Sequence, residues 1–404
     1  MRDVVFQGLA APLRLHEAEA ILPILRDIVP GWGFVDVPAD PSATPFYSIS
    51  AKPGEPLLWC DCHIDDRPKR WYDPVNAICD AISALALALP AERPDLICLH
   101  AAAVALAGRL VVFPNIRRAG KSTLTAALAQ AGFGVFSDDV LPVFYANAGR
   151  AHGAALGIAP RLRLPLPQTA GPEFEHWVAT VSGPSNRQYR YLAIADQPRH
   201  GETLPIGAFV ILDRQEEPVA ATLSKVSPDV AMDALLHQNF TRDRHSADIL
   251  RHIAATLAEC PAFQLTYFDL DGAVACLKEA FAAWSDPAPA THPGPGQPFR
   301  MADLAYALQG APDTRPHLRQ RPGSLAVTIG DKRYLADPEG RAIHRMDALA
   351  AAIWAIIEDP TPSETIVDIL AEVFPEAGRD RITSDVARLL DGLLGSGLVD
   401  THPR

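Results

Sequence analysis

Apolar and polar positions alternate most clearly between residues 95 and 139, where the pattern predicts a strand pair, a loop, a helix and a further strand. The apolar runs "LICLHAAAVAL" and "RLVVFP" are separated by the turn signal Ala107-Gly108, which is typical of two adjacent strands. Four apolar residues then keep the spacing of one helix face: Leu124, Ala127, Leu128 and Ala131. Since Gly120 precedes this stripe and Gly132 follows it, we predict a helix of about three turns.

The next apolar run, "GVFSDDVLPVFY", predicts a strand that carries Asp138 and Asp139, and Phe209 to Asp213 predict another buried strand. Strands that alternate with a helix in this way indicate an α/β (α+β) core, which we expect over residues 95–285. Residues 1–94 mix short strand and helix patterns that prolines interrupt, so they predict an N-terminal α/β region whose topology and role are not readable.

A change of composition after residue 285 predicts the main domain boundary. The stretch "SDPAPATHPGPGQP" is rich in proline and glycine, which favours an extended connector, and a short helical pattern and a basic loop follow it. We assign residues 286–322 to this linker and residues 323–404 to a last domain. In that domain Gly330-Asp331 marks a hairpin and three helical segments follow, which is the pattern of a small winged-helix-like module.

The charge balance argues against one class of partner. The chain of 404 residues has 48 acidic and 36 basic residues and a formal charge of -12, which repels polyanions and gives no support to nucleic-acid binding. The six cysteines form no C-x-x-C pair, the first residues lack an apolar signal segment, and the most apolar runs are short or interrupted by polar residues. We therefore expect a cytoplasmic protein without a membrane span, and a homo-oligomer stays open.

The loop before the predicted helix, "NIRRAGKST", carries the ending of a phosphate-binding loop. Such a loop aims backbone N–H groups at an anion, places an ammonium on the outer phosphates and offers a hydroxyl to Mg²⁺. Gly120, Lys121 and Ser122 meet these needs. Asn115 stands where the usual pattern has its first glycine, and asparagine adopts left-handed backbone angles readily. The predicted nucleotide-binding residues are Asn115, Arg117, Arg118, Ala119, Gly120, Lys121, Ser122 and Thr123.

Both the loop and the acidic pair have a simpler alternative. The loop could be a helix start that Ser122 or Thr123 caps, but a strand before it and an acidic strand after the helix favour a nucleotide site. Asp138 and Asp139 could form a solvated turn. Adjacent carboxylates inside an apolar run are costly to hold unless a cation or a proton transfer uses them, so we assign both to the site.

Three elements together resemble the HPr kinase/phosphorylase superfamily, whose catalytic domain is similar to that of phosphoenolpyruvate carboxykinase. His100 begins the predicted strand "HAAAVAL" twenty-one residues before Lys121, "AGKSTL" opens the helix, and Asp139 follows Lys121 by eighteen residues. The resemblance implies a P-loop kinase fold between residues 95 and 280 that uses ATP and Mg²⁺.

Residue by residue, the resemblance implies three catalytic side chains and two ligands near the metal. Lys121 and the loop amides would bind the outer phosphates, and Ser122 and Asp138 would lie near Mg²⁺. Asp139 would be the general base that takes the proton of the acceptor hydroxyl, and His100 would support that carboxylate or the phosphate. Elementary chemistry agrees, because a hydroxyl is a poor nucleophile and a close carboxylate can accept its proton.

Other positions match the family less closely. Arg161 and Arg163, in "PRLRLPLP", resemble an arginine-containing segment of kinase-like relatives and are candidates for contact with the substrate or a phosphate. Thr123 stands where true HPr kinases usually have Glu, and the "EIRG"-type segment of those enzymes is missing. The resemblance therefore implies phosphorylation by ATP, but neither HPr as the substrate nor the reverse, phosphorylase reaction.

The C-terminal pattern resembles a second family, the PqqD-type peptide chaperones of ribosomally made peptide pathways. A hairpin followed by "LAAAIWAII", "DILAEVF" and "DVARLLDGLLGSGLV" carries this resemblance. It implies that a leader peptide adds as a strand beside the hairpin and packs on the third helix. The candidate peptide contacts are Tyr334, Leu335, Val386 and Leu389. Core packing is the alternative for each taken singly, and DNA binding is disfavoured because the third helix has only Arg381 and Arg388 as basic residues.

Together the two resemblances imply an ATP-dependent kinase that phosphorylates a Ser or Thr hydroxyl of a ribosomally synthesised precursor peptide, similar to kinases that tailor lasso peptides. The leader region would be the partner of the C-terminal domain, and tethering would raise the local concentration of the acceptor. Two alternatives stay open: a kinase of a free small molecule, and a non-catalytic, nucleotide-gated peptide carrier. A carboxylate near the loop favours catalysis, because a carrier needs only the loop.

Overall fold

The computed structural model describes residues 1–114, 119–145, 150–241, 244–284 and 317–402. The chain folds as two compact units, one formed by residues 1–243 and 256–286 and the other by residues 244–255 and 287–404. The boundary suggested at residue 94 lies inside the first unit. The Pro-rich connector, the short helix expected after it, and Asn115, Arg117 and Arg118 of the loop lie outside the described residues.

The first 94 residues form a six-stranded sheet with two helices. The strands are β1 (Arg2–Phe6), β2 (Leu13–His16), β3 (Phe34–Pro38), β4 (Tyr47–Ser50), β5 (Leu58–Cys62) and β6 (Arg70–Tyr72), and the helices are α1 (Leu22–Ile28) and α2 (Pro74–Glu92). The strand order is β3-β1-β2-β4-β5-β6, in which β2 and β4 run parallel and the other neighbours antiparallel.

Helix α2 connects this sheet to the next region. It begins at Pro74, and the Asp73 carboxylate accepts hydrogen bonds from the N–H groups of Val75 and Asn76, which satisfies donors that a helix start leaves unpaired. The helix is long and apolar enough to cross a membrane by length and composition, but 61% of its most apolar window is buried inside the protein, as in a core helix.

Residues 96–280 form a second, nine-stranded sheet, a separate strand pair and five helices. In chain order the strands are β7 (Leu96–Leu99), β8 (Ala102–Leu106), β9 (Arg109–Phe113), β10 (Val135–Ser137), β11 (Leu141–Tyr145), β12 (Ala151–Ala154), β13 (Arg161–Arg163), β14 (Tyr189–Tyr191), β15 (Thr203–Arg214), β16 (Thr222–Lys225) and β17 (Ala262–Tyr267). The helices are α3 (Lys121–Gln130), α4 (Pro172–Thr180), α5 (Pro228–His237), α6 (Ser246–Glu259) and α7 (Leu270–Ala280).

The long strand β15 organises this sheet. Its first residues pair with β12, and its remainder lies parallel to β9 on one side and to β17 on the other. The strand order around it is β10-β8-β9-β15-β17, while β13 pairs with β14 in a sheet of its own. Because the carboxyl ends of β9, β15 and β17 meet at one edge, residues that follow these strands lie close together there.

The hairpin and helix predicted from the sequence are confirmed. Ala107 (φ 46°) and Gly108 (φ 80°) both adopt left-handed angles and form the two-residue turn between β8 and β9, as the right-handed twist of a strand pair requires. Helix α3 begins at Lys121, and Gly132 (φ 88°) follows its end. One prediction was wrong: His100 does not begin a strand, because "LICLHAAAVAL" breaks between β7 and β8, which pair with different neighbours.

Two apolar cores stabilise the first unit. One joins the N-terminal sheet and both of its helices to Leu96, Cys98 and Tyr191, so the N-terminal region packs against the strands that follow it. The other surrounds α3, whose Leu124 and Leu128 pack among β8, β9, β15, β17 and α7. Helix α3 is therefore fixed against the sheet over its apolar face, which holds its N-terminus at the edge where the parallel strands end.

The C-terminal residues form two three-stranded sheets and three helices. The strands are β18 (His317–Gln320), β19 (Leu325–Ile329), β20 (Lys332–Ala336), β21 (Ile343–Met346), β22 (Thr361–Pro362) and β23 (Val399–His402), and the helices are α8 (Ala348–Ile356), α9 (Ser363–Val373) and α10 (Arg379–Gly395). The sheet orders are β22-β18-β23 and β19-β20-β21. Short 3-10 helices lie at Glu19–Ile21, Gln168–Ala170 and Pro375–Ala377.

The hairpin around Gly330 and the three helices match the predicted module. Strand β18 differs from the prediction, since it lies in the stretch read as a basic loop of the linker; it is a strand because it pairs with β23, about eighty residues later in the sequence. At the start of α6, the Ser246 hydroxyl donates to Asp337 Oδ1 at 3.1 Å, which attaches residues 244–255 to this unit.

Candidate active site

A cleft of about 740 Å³ opens in the first unit at the edge where the parallel strands end. Residues of the loop and α3 form its floor, the acidic turn after β10 forms one side, and α2 and β6 of the N-terminal region contribute another wall. Arg214 at the end of β15 also lines it. The cleft thus collects most of the described residues that the sequence assigned to a nucleotide site.

The start of α3 lines one part of the cleft. Gly120 adopts φ +91°, a left-handed angle that suits glycine, and the helix begins at the next residue. Lys121 lines the cleft and is only 7% exposed, so its side chain does not extend into bulk solvent. Ala119, Ser122 and Thr123 line the same space. Backbone N–H groups and the helix dipole at such a start favour a phosphate.

The acidic pair lies in the turn between β10 and β11 and is fixed by Ser137. The Ser137 hydroxyl donates to the Ala101 carbonyl at 2.8 Å, and the Asp139 N–H donates to the Ser137 hydroxyl at 3.2 Å. The two carboxylates differ in access: Asp138 is buried, whereas Asp139 is partly exposed. Asp139 is therefore the carboxylate that a substrate can reach more readily.

His100 holds one oxygen of the reachable carboxylate. Its Nε2 lies 2.8 Å from Asp139 Oδ1. The backbone N–H of His100 donates to the Gln238 carbonyl at 2.7 Å, and its ring stacks on Phe240 with centroids 5.4 Å apart. The break between β7 and β8 is what frees His100 from strand pairing, so that its ring can meet Asp139.

Arg161 holds the other oxygen. Its Nη2 donates to Asp139 Oδ2 at 3.1 Å, its backbone N–H donates to Asp138 Oδ2 at 2.9 Å, and its Nη1 contacts the Cys79 thiol. The guanidinium also lies over the Tyr189 ring at 4.8 Å. Arg161 also lines the cleft, so the contact with substrate or phosphate that the sequence proposed for it stays a prediction. Its bonds to the acidic pair give it a positioning role as well.

These contacts separate the two carboxyl groups electrostatically. Burial alone would raise the pKa of Asp139, but the charge of Arg161 and the hydrogen bond from His100 outweigh it and hold that pKa well below its usual value. Burial and the neighbouring Asp139 charge raise the pKa of Asp138. Asp139 is therefore ionised over the physiological pH range and available as a proton acceptor.

The residues present fit a magnesium ion. Ser122 and Asp138 both line the cleft, and a hydroxyl and a carboxylate are the hard oxygen donors that Mg²⁺ prefers. A nearby dication also favours the ionised form of Asp138, whose buried charge is otherwise costly. The described residues contain no cluster of three or more His, Cys, Asp and Glu ligands, so such an ion would depend on phosphate oxygens and water for its remaining ligands.

The N-terminal wall was missed by the sequence prediction. Four residues of α2 line the cleft: Asn76, Cys79, Asp80 and Ser83. They follow the i, i+3, i+4, i+7 spacing of one helix face, while most of the rest of α2 is buried and apolar. A polar stripe in an otherwise apolar helix is a readable signal, but only the folded chain shows that it faces Asp139 and the loop.

Other candidates lie at different places. Arg163 is exposed in the cleft, with its guanidinium 5.5 Å from the Tyr189 ring, and stays a predicted substrate contact. In the C-terminal unit Tyr334, Leu335 and Val386 are buried, whereas Leu389 is partly exposed. A peptide laid on the surface reaches Leu389 alone among these four, so the structure assigns the other three to the core of the module.

One family model matches the C-terminal part of the chain. Residues 333–399 match the family model "Coenzyme PQQ synthesis protein D (PqqD)". This match confirms the predicted PqqD-type domain, and the mixed α/β architecture confirms the predicted fold class. No curated protein sequence matches the chain.

Two solved structures are similar to different parts of the chain. "TbiB1 in Complex with the TbiA(beta) Leader Peptide" is 20% identical and covers 21% of this chain and 99% of its own, with a TM-score of 0.20. The Hpr(Ser) kinase/phosphatase from Coxiella burnetii is 11% identical and covers 45% of this chain and 95% of its own, with a TM-score of 0.23.

Proposed function

We propose that this protein is an ATP-dependent kinase that phosphorylates a Ser or Thr hydroxyl of a ribosomally synthesised precursor peptide, which its PqqD-like domain captures by the leader region. One observation carries the proposal. In a chain with a PqqD-type domain, a phosphate-binding helix start and a His-Asp-Arg cluster line the same cleft. A protein that only bound a nucleotide would need no carboxylate whose two oxygens are each held by a neighbouring side chain.

The chemical step follows from this arrangement. The acceptor oxygen forms a bond to the γ-phosphorus, the bond from that phosphorus to the bridging oxygen breaks, ADP leaves, and the acceptor proton moves to Asp139. Mg²⁺ held by Ser122 and Asp138 would neutralise charge on the phosphates. His100 and Arg161 each engage one oxygen of Asp139, and a carboxylate has further lone pairs that can accept the hydroxyl.

The low pKa of Asp139 makes it a weak base, and this suits phosphoryl transfer. In a loose transition state the bond to the leaving group is largely broken before the acceptor loses its proton, so a weak base that is fixed in place is sufficient. Catalysis then depends on position and charge more than on basicity. Lys121 supplies the fixed ammonium for the outer phosphates.

The wall formed by α2 and β6 supports an acceptor site on the N-terminal side of the cleft. The loop and α3 would hold the triphosphate, so the acceptor must approach Asp139 from another direction. Asp80 accepts from Tyr47 at 2.5 Å and from Arg67 at 3.0 Å, and Asn76 donates to Asp73 at 2.8 Å. These polar groups are held by neighbours and present a preorganised surface to the acceptor.

The proposed function is tested by incubating the intact protein with ATP, Mg²⁺ and the precursor peptide encoded beside its gene, followed by peptide mass measurement. We expect the gain of one phosphate, located on a Ser or Thr by fragmentation. Peptide binding and ATP binding without any phosphate transfer would instead support the carrier. ATP turnover with a small hydroxyl compound and an unchanged peptide would support a small-molecule kinase.

Leader capture gives a prediction of its own. Leu389→Glu places a charge on the partly exposed face of α10, and we expect the leader peptide to bind about tenfold more weakly, because a contact of leucine size is lost. Binding of ATP should not change. Leader affinity is measured by fluorescence anisotropy with the intact chain, since residues 244–255 belong to the same unit as the C-terminal domain.

A matched control variant is Val373→Glu, which adds the same charge at an exposed position on α9. It should bind the leader as the parent does. Peptide phosphorylation by Leu389→Glu should fall at low peptide concentration and recover at high concentration, because tethering changes effective concentration and not the chemical step. Equal leader affinity in the parent and in Leu389→Glu would remove α10 from the binding surface.

A further inference from the structure

Two groups at the carboxyl end of the parallel strands are not used by the mechanism above. Arg214 ends β15 and Tyr267 ends β17, and the two residues are direct partners in the parallel register. Strand β15 continues past the end of β9, since Phe209 already pairs with Val112. The last residues of β15 and β17 therefore extend beyond β9, and their side chains lie beside Gly120.

Tyr267 is a buried polar group directed at the loop. Its side chain is 1% exposed, and its hydroxyl has no hydrogen-bond partner within the ranges that the structure describes. A Cβ built on Gly120 would lie 2.8 Å from this hydroxyl, so glycine is needed at position 120 for space as well as for its backbone angle. Buried hydroxyls nearly always find a partner, so an unsatisfied one beside a phosphate loop indicates a ligand.

Arg214 supplies a cation at the same place. Its side chain is exposed in the cleft, and its Cδ lies 3.9 Å from the Cβ position built on Gly120. The Arg214 guanidinium and the Tyr267 hydroxyl are thus two donors on the same side of the loop. A planar guanidinium beside a hydroxyl is well suited to bind phosphate oxygens.

The strand order decides which phosphate this is. In the order β10-β8-β9-β15-β17, the loop follows the central strand β9, with Asp139 after β10 on one side and Arg214 after β15 on the other. The γ-phosphate must lie beside Asp139, because the acceptor hydroxyl gives its proton to Asp139 while its oxygen forms the bond to the γ-phosphorus. The opposite end of the triphosphate therefore extends toward β15 and β17.

We propose that Arg214 and Tyr267 form the nucleoside-side end of the nucleotide site, where the guanidinium and the hydroxyl bind oxygens of the α-phosphate. This inference rests on the proposed function, since it takes ATP as the ligand and places the γ-phosphate of ATP next to Asp139. Both residues are then binding residues that hold the part of ATP that does not react.

The test measures ATP and ADP affinity by calorimetry and steady-state kinetics for Arg214→Gln and Tyr267→Phe in the intact protein. We expect Arg214→Gln to bind both nucleotides about tenfold more weakly, as the loss of a charge-assisted hydrogen bond does. The KM for ATP should rise while kcat stays near the parent value, because a contact to the α-phosphate is the same in the ground state and the transition state.

Tyr267→Phe tests whether the Tyr267 hydroxyl binds the nucleotide or is only a buried hydroxyl without a hydrogen-bond partner. Removing an unpaired buried hydroxyl should raise the melting temperature of the nucleotide-free protein, and the same change should weaken ATP binding. Higher stability with unchanged ATP affinity would mean that the hydroxyl has no ligand. Arg93→Gln is the control for Arg214→Gln, because Arg93 pairs with Asp95 outside the cleft.

The outcomes distinguish this inference from the proposed function. Suppose that the parent binds ATP and transfers or hydrolyses its γ-phosphate, and that Arg214→Gln and Tyr267→Phe bind ATP with the parent's affinity. This inference is then wrong, and the kinase proposal stands. If Arg214→Gln lowers kcat without changing KM, the guanidinium acts on the transferred phosphate and its assignment to the α-phosphate is wrong. If the parent binds no ATP, both proposals fail together.

Discussion

Replacing Asp139 with asparagine is expected to lower the rate of peptide phosphorylation by about 10²-fold or more, the usual scale for the loss of a general base. The amide keeps the size of the side chain but cannot accept the acceptor proton. Binding of ATP and Mg²⁺ should persist, because Lys121 and the helix start hold the phosphates. Single-turnover phosphorylation measured beside ATP calorimetry tests both parts of this expectation.

Asp138→Asn is the informative comparison, because it makes the same replacement of a carboxylate by an amide at the neighbouring residue. Asp138 is buried and is the proposed Mg²⁺ ligand, so its substitution should weaken Mg²⁺-dependent ATP binding more than Asp139→Asn does. An Asp139→Asn protein that phosphorylates the peptide at the parent rate would exclude Asp139 as the base. Loss of transfer in Asp138→Asn with intact Mg²⁺-ATP binding would move the base to Asp138.

The parts of the fold that the sequence predicted are those specified by nearby residues. The turn at Ala107-Gly108 and the helix after Gly120 follow from local backbone preferences and from one apolar stripe, and both are present in the structure. The hairpin around Gly330 was found in the same way. Such elements depend on residues within a few positions of one another, so a pattern read along the chain is sufficient.

The environment of the acidic pair depends on distant parts of the chain. His100 leaves the strand pattern because its N–H pairs with the Gln238 carbonyl, and Arg161 approaches Asp139 on a strand that pairs with β14. The family resemblance implied that His100 supports Asp139 or the phosphate, but it did not indicate that Arg161 would hold the second oxygen of that carboxylate. The positioning role of Arg161 therefore became visible only in the folded chain.

The role of the first 94 residues could not be predicted from the sequence, because it also depends on contacts between distant parts of the chain. Their strand order includes the crossover pairing of β2 with β4, and no local pattern indicates that α2 reaches the cleft. The polar stripe of α2 was visible in the sequence, but a surface helix has the same pattern. Burial of the other α2 faces in the shared core is what turns the stripe toward Asp139 and the loop.

Lys121 is the position where one substitution should have the largest effect. Lys121→Ala is expected to lower kcat/KM for ATP by about 10³-fold, since it removes a fixed charge from the phosphates where negative charge develops in the transition state. The side chain is 7% exposed, so its ammonium is already held in place before ATP binds. A preorganised charge of this kind loses little freedom on binding, and solvent cannot replace it.

Burial also complicates this test, because Lys121→Ala leaves space beside α3 and can reduce stability. Lys121→Met is the matched variant, since it keeps most of the aliphatic stem and removes the ammonium. Lys121→Met should unfold cooperatively near the parent melting temperature, and both variants should lose turnover. If Lys121→Met turned over ATP as fast as the parent, the helix start would not be a phosphate site, and the cleft would have to bind some other substrate through Arg161 and the acidic pair. If Lys121→Met lost activity and Lys121→Arg partly restored it, the charge itself would be identified as the cause.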